Sequence, residues 1–452
     1  MQPNLRHETN VLMRLAWPIV LTNLGWMMLG TVDTVMLGAL SKEALAASLL
    51  GNVWVHLTQI AAMGVLMGMD PLVTQGHGAR DRRKLALALQ RGLVVAAALA
   101  LPLTLSRFFT AEVLGAFRAL AERLGGPGAA AGFEPSIAID AERYALAQAA
   151  AEPFFLAYIV QRQYLQGRGI VRPALFVTLI AIAMNAMLNQ LLIFELGYGI
   201  VGAGIATALT RVFLALGLVF VIRRFELHRG AWIPWSRASF RRLGEILRFG
   251  LPVGAHFAIE VGAFGLSVLL AGLLGVVATA AHGIAVNIAS LTFMAPLGIS
   301  LAAVTRVGNL IGEGRRALAQ RSAWLAIGLG AGVMACAALA LLLLRKLVPH
   351  LYSDEPEVIA ATAAVLPIAA AFQVFDGAQV VGGGVLRGMG KTLPPAVFNF
   401  IAWYGVGLPL AWYWGITCGH GLAGIWWGLA LGLASVALLL CAWILRFGPA
   451  HE

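Results

Sequence analysis

Residues 14–40 read RLAWPIVLTNLGWMMLGTVDTVMLGAL and residues 248–274 read RFGLPVGAHFAIEVGAFGLSVLLAGLL. Set one above the other, they open a register that continues without a gap to residues 82 and 316. Within it Arg14 falls on Arg248, Pro18 on Pro252, Gly38 on Gly272, Ala44 on Ala278, Thr58 on Thr292, Gly64 on Gly298, Gly78 on Gly312 and Arg82 on Arg316. Proline kinks a helix and glycine lets backbones approach, so what has been duplicated is a backbone shape. A second match follows the same logic: Leu165-Gln166-Gly167-Arg168-Gly169 resembles Leu386-Arg387-Gly388-Met389-Gly390, with Pro173 and Pro394 at equal distances beyond.

Composition places this doubled scaffold in a bilayer. The 452 residues are 60% hydrophobic and 12% charged, with mean hydropathy +0.83, far from the balance of a soluble globular chain. Runs long enough to span recur throughout, as in Ser322 to Leu344 and Gly424 to Leu445. They predict an all-α polytopic protein with about twelve transmembrane helices, roughly six per half. The expected spans are 12–40, 45–72, 86–110, 144–166, 172–195, 200–222, 248–272, 277–305, 322–344, 357–386, 394–415 and 422–445. This gives an N-terminal bundle (1–223), a basic linker (224–245) with Trp232, Pro234 and Trp235 along the membrane interface, and a C-terminal bundle (246–452). Six spans return the chain to the side it started from, so the halves are parallel repeats.

The net charge of +11 is distributed as topology requires, not as nucleic-acid binding would. With the N-terminus in the cytoplasm, most of the 32 Lys and Arg, including the clusters Arg80 to Lys84, Arg223 to Arg248 and Arg306 to Arg321, fall on the inner side. Both termini are then cytoplasmic, and these clusters meet anionic lipid rather than nucleic acid. No cleavable signal peptide is evident. Cys336, Cys418 and Cys441 have no metal-ligand spacing and are expected as free thiols. The Gly- and Ala-rich connection 125–132 is expected to be flexible.

Three carboxylates sit well inside predicted spans: Asp33, Glu260 and Asp376. Each costs about 2.5 to 3.5 kcal/mol on insertion scales, so each must face a cavity or a partner. At about 1.5 Å rise per residue, Glu260 and Asp376 both lie roughly 16 to 18 Å from the inner end, near mid-bilayer, whereas Asp33 lies roughly 28 Å out. Asn185 and Asn189, one turn apart, and Thr207 on the next helix share the outer depth of Asp33 and form a polar cluster with it. The halves place their acids differently, since Trp26 aligns with Glu260 and Asp33 with Ser267. A single buried Asp can serve only to bind a neighbouring helix, and paired amides are ordinary membrane glue. Asp70, beside Pro71, reads as a cap, a turn or a partner of the basic cluster, and Arg211 as a buried partner or a snorkelling side chain.

Enzyme motifs are missing. Gly388-Met389-Gly390-Lys391-Thr392 imitates the end of a phosphate-binding loop, but the first glycine of that motif would be Val385. There is no H-E-x-x-H, no C-x-x-C and no cofactor motif.

The chain resembles the multidrug and toxic compound extrusion (MATE) transporters of NorM type over nearly its whole length. The resemblance rests on Val32-Asp33-Thr34-Val35-Met36-Leu37-Gly38, on Gln75-Gly76-His77-Gly78-Ala79, and on the run from His282 to Met294 followed by Pro296-Leu297-Gly298 and Arg306-Val307-Gly308-Asn309. Glu260 and Asp376 match the acidic pair of NorM-type members. The resemblance implies a V-shaped, two-bundle antiporter of the bacterial inner membrane, functional as a monomer, exporting organic cations and amphipathic drugs in exchange for H+ or Na+. Where a cation-binding member can carry tyrosine one turn before the tenth-helix acid, this chain has Phe372, which weakens the case for Na+.

Two carboxylates close together in a low-dielectric cavity cannot both ionise freely, so Glu260 and Asp376 are expected to bind a proton, a cation or a cationic drug in mutual exclusion. Phe257, Phe264, Met294, Phe375, Trp403 and Tyr404 are the expected cavity wall. Asp33 with Asn185, Asn189 and Thr207 is expected to be a second site or a conformational switch whose hydrogen bonds change with protonation. The alternatives are a flippase for a lipid-linked substrate, for which Arg211 would be the one cationic cavity residue, and a membrane-embedded lipid enzyme.

Overall fold

The structure is a computed structural model that describes residues 5–125, 134–228 and 232–451. It is all helix, with no strand among the described residues. The first half runs α1 (Leu5–Leu40), α2 (Lys42–Leu66), α3 (Asp70–Gly78), α4 (Arg82–Ser106), α5 (Thr110–Gly125), α6 (Pro135–Ala149), α7 (Glu152–Gly167), α8 (Arg172–Asn189) and α9 (Gly199–Arg224). The second runs α10 (Gly244–Gly272), α11 (Val276–Gly312), α12 (Arg316–Leu344), α13 (Pro356–Met389), α14 (Leu393–Phe400), α15 (Leu408–Trp412) and α16 (Gly421–Phe447). Short 3-10 turns join α2 to α3 and α4 to α5, so each pair continues as one rod.

Eleven stretches among the described residues are long and apolar enough to cross a membrane. The remaining expected span, 144–166, corresponds to α6 and α7. It begins nine residues earlier, at Pro135, and is interrupted at Ala150 and Ala151, just ahead of Glu152-Pro153. Proline lacks the amide hydrogen that would continue the ladder, and the polar run Gln161-Arg162-Gln163 with Gln166 keeps α7 from reading as purely apolar. Other helices outrun their apolar cores because backbone hydrogen bonding does not stop where lipid does. Thus α1 begins at Leu5 and α11 ends at Gly312.

Local faults are duplicated along with the helices. Pro18 lies inside α1 and Pro252 inside α10. Gly169 and Gly390 end their helices with φ of 76° and 81°, a left-handed turn that suits glycine. In each half the helix before the last ends in a π-helical stretch, Gln190–Glu195 and Tyr413–Thr417. The described part of the linker is tied to α4: Gln90 donates to the Ile233 carbonyl at 2.7 Å and Arg91 pairs with Glu245 at 3.0 Å. Trp232, Trp235 and Phe240 pack together there, partly exposed. The connection expected to be flexible lies, from Gly126 to Gly132, outside the described residues.

The halves meet with a reciprocity that identifies their symmetry. α1 packs on α11 and, equivalently, α2 packs on α10. Gly78 abuts the Asn309 carbonyl so closely that a β-carbon would not fit, and its counterpart Gly312 abuts the carbonyl of Gln75, the counterpart of Asn309. Gly64 faces Gly254, where a β-carbon would stand 2.5 Å from the facing Cα, and its counterpart Gly298 faces Val20, the counterpart of Gly254. Residue i touching j while the equivalent of i touches the equivalent of j is the property of a two-fold interface. Ion pairs add to it at the same end: Glu8 grips Arg306 through two contacts of 2.6 and 2.9 Å, and Asp70 pairs with Arg387 at 3.2 Å. This is the end that carries the basic clusters. Further along the helices, polar side chains at equivalent positions, His56 on α2 and Ser290 on α11, are exposed.

Candidate functional site

Polar side chains gather at three places between these helices. In the first half, α1 supplies Asp33, α8 supplies Asn185 and Asn189, and α9 supplies Thr207. Asn189 Nδ2 donates to Asp33 Oδ1 at 2.6 Å and toward Asn185 Oδ1 at 3.4 Å, and Thr207 Oγ1 donates to Asp33 Oδ2 at 2.7 Å. Asp33, Asn185 and Asn189 are buried, so the four residues expected at one depth do converge. Two donors support the ionised carboxylate, while Asn189 Oδ1 has no partner.

In the second half, Glu260 on α10 and Asp376 on α13 lie close enough for the Glu260 charge to act on Asp376, with no hydrogen bond between them. Asp376 is 6% exposed, and no Lys or Arg among the described residues forms an ion pair with either acid. The basic side chain beside Glu260 is His256, one turn back, with Nε2 3.7 Å from Oε2; its Nδ1 is 2.8 Å from Asn399 Nδ2. Phe257 packs edge-on against His256, and the Tyr404 hydroxyl donates to the Ile259 carbonyl at 3.3 Å. Phe257, Phe264, Met294 and Tyr404 are half-buried and Phe375 is exposed, as wall residues can be. Trp403 differs from expectation. It is completely buried, its ring 5.5 Å from that of Phe264 and 6.5 Å from that of Phe372, because the site's aromatic residues and Trp426 pack first against one another. Phe372 belongs to this packed cluster and offers no oxygen.

Sequence reading missed a third group. Glu152, at the start of α7, is fully buried and holds Arg107 at 2.8 and 3.2 Å, Gln59 at 3.0 Å and Arg211 at 3.5 Å through Oε1. Arg107 also donates to Thr58 at 2.8 Å, and Arg211 lies over the Phe155 ring at 5.1 Å. Glu152 is thus the shared partner of two buried guanidiniums, Arg107 and Arg211. The signal was present in Glu152-Pro153, a helix start inside what hydropathy reads as one span. Among the described residues no three side chains are grouped to hold a metal ion.

Two helix bundles related by a two-fold interface, each with its own buried acid, define a membrane transporter. The chain belongs to the MatE family, whose family model matches it twice, over residues 18–191 and 252–413, once in each half. It is 34% identical to the "Probable multidrug resistance protein NorM" of Mesorhizobium japonicum, covering 98% of this chain and 94% of that one. It is 32% identical to the "Multidrug resistance protein NorM" of Burkholderia vietnamiensis, over 98% of this chain and 94% of that one. The fold matches the crystal structure of the eukaryotic MATE transporter AtDTX14 with a TM-score of 0.89 at 22% identity, covering 99% and 97% of the two chains. It also matches an outward-facing multidrug resistance MATE family transporter of the MOP superfamily, with a TM-score of 0.81 at 21% identity over 96% and 95%. The chain is therefore a transporter rather than an enzyme.

Proposed function

We propose that this transporter exports organic cations and other amphipathic drugs in exchange for inward H+ or Na+, by alternating access of a cleft between its bundles. One observation carries the reading: Glu260 and Asp376 are within electrostatic reach of one another in an aromatic-walled bundle with no Lys or Arg paired to them. A cation arriving from either side relieves that repulsion, and drug and coupling ion relieve it in turn, which is exchange. The names of the bacterial relatives agree with it. The absence of a hydroxyl at Phe372 favours H+ at this pair.

The Asp33 cluster is the second coupling site. Ionised, Asp33 accepts from Asn189 Nδ2; neutral, it would donate to the Asn189 oxygen that now lacks a partner, once that amide turns over. With the basic end in the cytoplasm of a bacterial inner membrane, as the positive-inside rule requires, the bundles are closed inward and the cleft faces out. We place the working unit as a monomer in lipid, with bundles at 1–223 and 246–452. The flippase alternative loses support, because Arg107 and Arg211 are both engaged by Glu152 rather than free for a pyrophosphate.

The test is ethidium transport by protein in liposomes under an imposed proton gradient and, separately, a sodium gradient. Transport under one gradient, abolished by Glu260→Gln and by Asp376→Asn in protein that still inserts, is expected. Full transport by both variants would sink the mechanism.

A further inference from the structure

At the basic end a cavity of about 560 Å³ opens between the halves. Its first-half wall is Pro71, Leu72, Gln75 and Lys84; its second-half wall includes Arg248, Phe249 and the segment from Met389 to Pro394, with Lys391 and Thr392. Three cations line it, and none of the described lining residues is acidic. The half-buried Lys84 stem passes over Gly76, where an added β-carbon would stand 3.4 Å from its Cγ and Cδ. Met389 to Thr392, part of the run that imitates a phosphate-binding loop in sequence, form the second-half rim. Apart from Gln75 and Thr392, the remainder of the lining is uncharged and mostly apolar: Pro71, Leu72, Phe249, Pro252, Met389, Leu393 and Pro394.

Across the repeat, Lys84, Arg248 and Lys391 fall on Leu318, Arg14 and Ile170, while Leu72, Met389 and Leu393 fall on Arg306, Arg168 and Arg172, so each half brings positive charge to this end on different side chains. Trp232 and Trp235, on the linker held to α4, mark the level of the lipid headgroups beside it. Cations above apolar walls at that level have the chemistry of an amphiphile with an anionic head.

The geometry points to a binding site for the phosphodiester headgroup of an anionic phospholipid in this cavity, with Lys84 and Arg248, one from each half, on the phosphate and the acyl chains along Phe249, Pro252 and Leu393. Both halves contribute walls, so the lipid binds this arrangement of the bundles in preference to one that separates them at this end, and stabilises it. The inference does not depend on the transported drug or coupling ion.

Native mass spectrometry of the purified protein titrated with dioleoyl-phosphatidylglycerol, dioleoyl-phosphatidylcholine or inorganic phosphate tests it. Retention of phosphatidylglycerol over phosphatidylcholine is expected, about fivefold weaker in Lys84→Gln and in Arg248→Gln, recovered in Lys84→Arg and unchanged in Arg14→Gln. Size-exclusion profiles report folding; should Lys84→Gln misfold, Arg248→Gln on the opposite wall carries the comparison. Equal retention of both lipids, or undiminished phosphatidylglycerol in the folded glutamine variants, overturns the site. Saturable inorganic phosphate that displaces the lipid would reassign it to soluble phosphate and equally overturn the lipid reading.

Discussion

Replacing Glu152 by Gln keeps the side chain's shape and removes its charge. The consequence follows from the contacts: Arg107, whose side chain is fully buried, loses the carboxylate it meets at 2.8 and 3.2 Å, and Arg211, 9% exposed, loses its contact at 3.5 Å. Two guanidiniums then share a buried site with a neutral amide. Removing one partner of a buried pair costs about 3–5 kcal/mol, chiefly as the penalty of the charge left behind. We expect Glu152→Gln to lose stability in that range, read by reversible unfolding in mixed micelles. Glu152→Leu combined with Arg107→Leu removes both charges of the tightest pair and should recover most of the loss, because a well-packed apolar pair is often as stable as the ion pair it replaces. Arg211 remains in the double variant with the Phe155 ring, which is why recovery is partial. A Glu152→Gln protein within about 1 kcal/mol of the parent would refute the reasoning, since so small a change is what an exposed pair costs.

Gly78→Ala and Gly312→Ala should each force the halves apart at the basic end and shift spin-label distances across it toward the opened arrangement, by similar amounts because the contacts are equivalent. Asp33→Asn leaves an amide able to pair with Asn189, so stability should change by less than about 1.5 kcal/mol while the pH dependence of transport flattens; an unchanged pH profile removes Asp33 from coupling. Asp70→Asn strands Arg387 and should cost about 3 kcal/mol or more, whereas neutralising exposed Arg143, paired with Asp140 at 3.1 Å, should cost under about 1 kcal/mol; equal losses in denaturation would contradict the burial argument.

How far the sequence could be read depended on what kind of fact was sought. Pro18 with Pro252 and Gly78 with Gly312 carried the architecture, because backbone constraints survive duplication while side chains drift. Asp33, Asn185, Asn189 and Thr207 were legible as a cluster because depth along a helix is set by counting residues. Glu152 and Arg107 were not, since each stands near a helix end where charge is cheap, and only packing across α2, α4, α7 and α9 reveals that both are sealed. Trp403 reads as a cavity-wall candidate simply as one of the second half's aromatic residues, but which side of a helix an aromatic presents is decided by its neighbours, here Phe264 and Phe372.

The reciprocal glycine contacts make the chain a tethered dimer whose two clasps turn on one axis. A rotation that opens Gly78 from Asn309 opens Gly312 from Gln75 in the same stroke, so neither clasp can wait for the other. In the alternating-access cycle proposed above, the basic end would then open as a unit, as a dimer interface does.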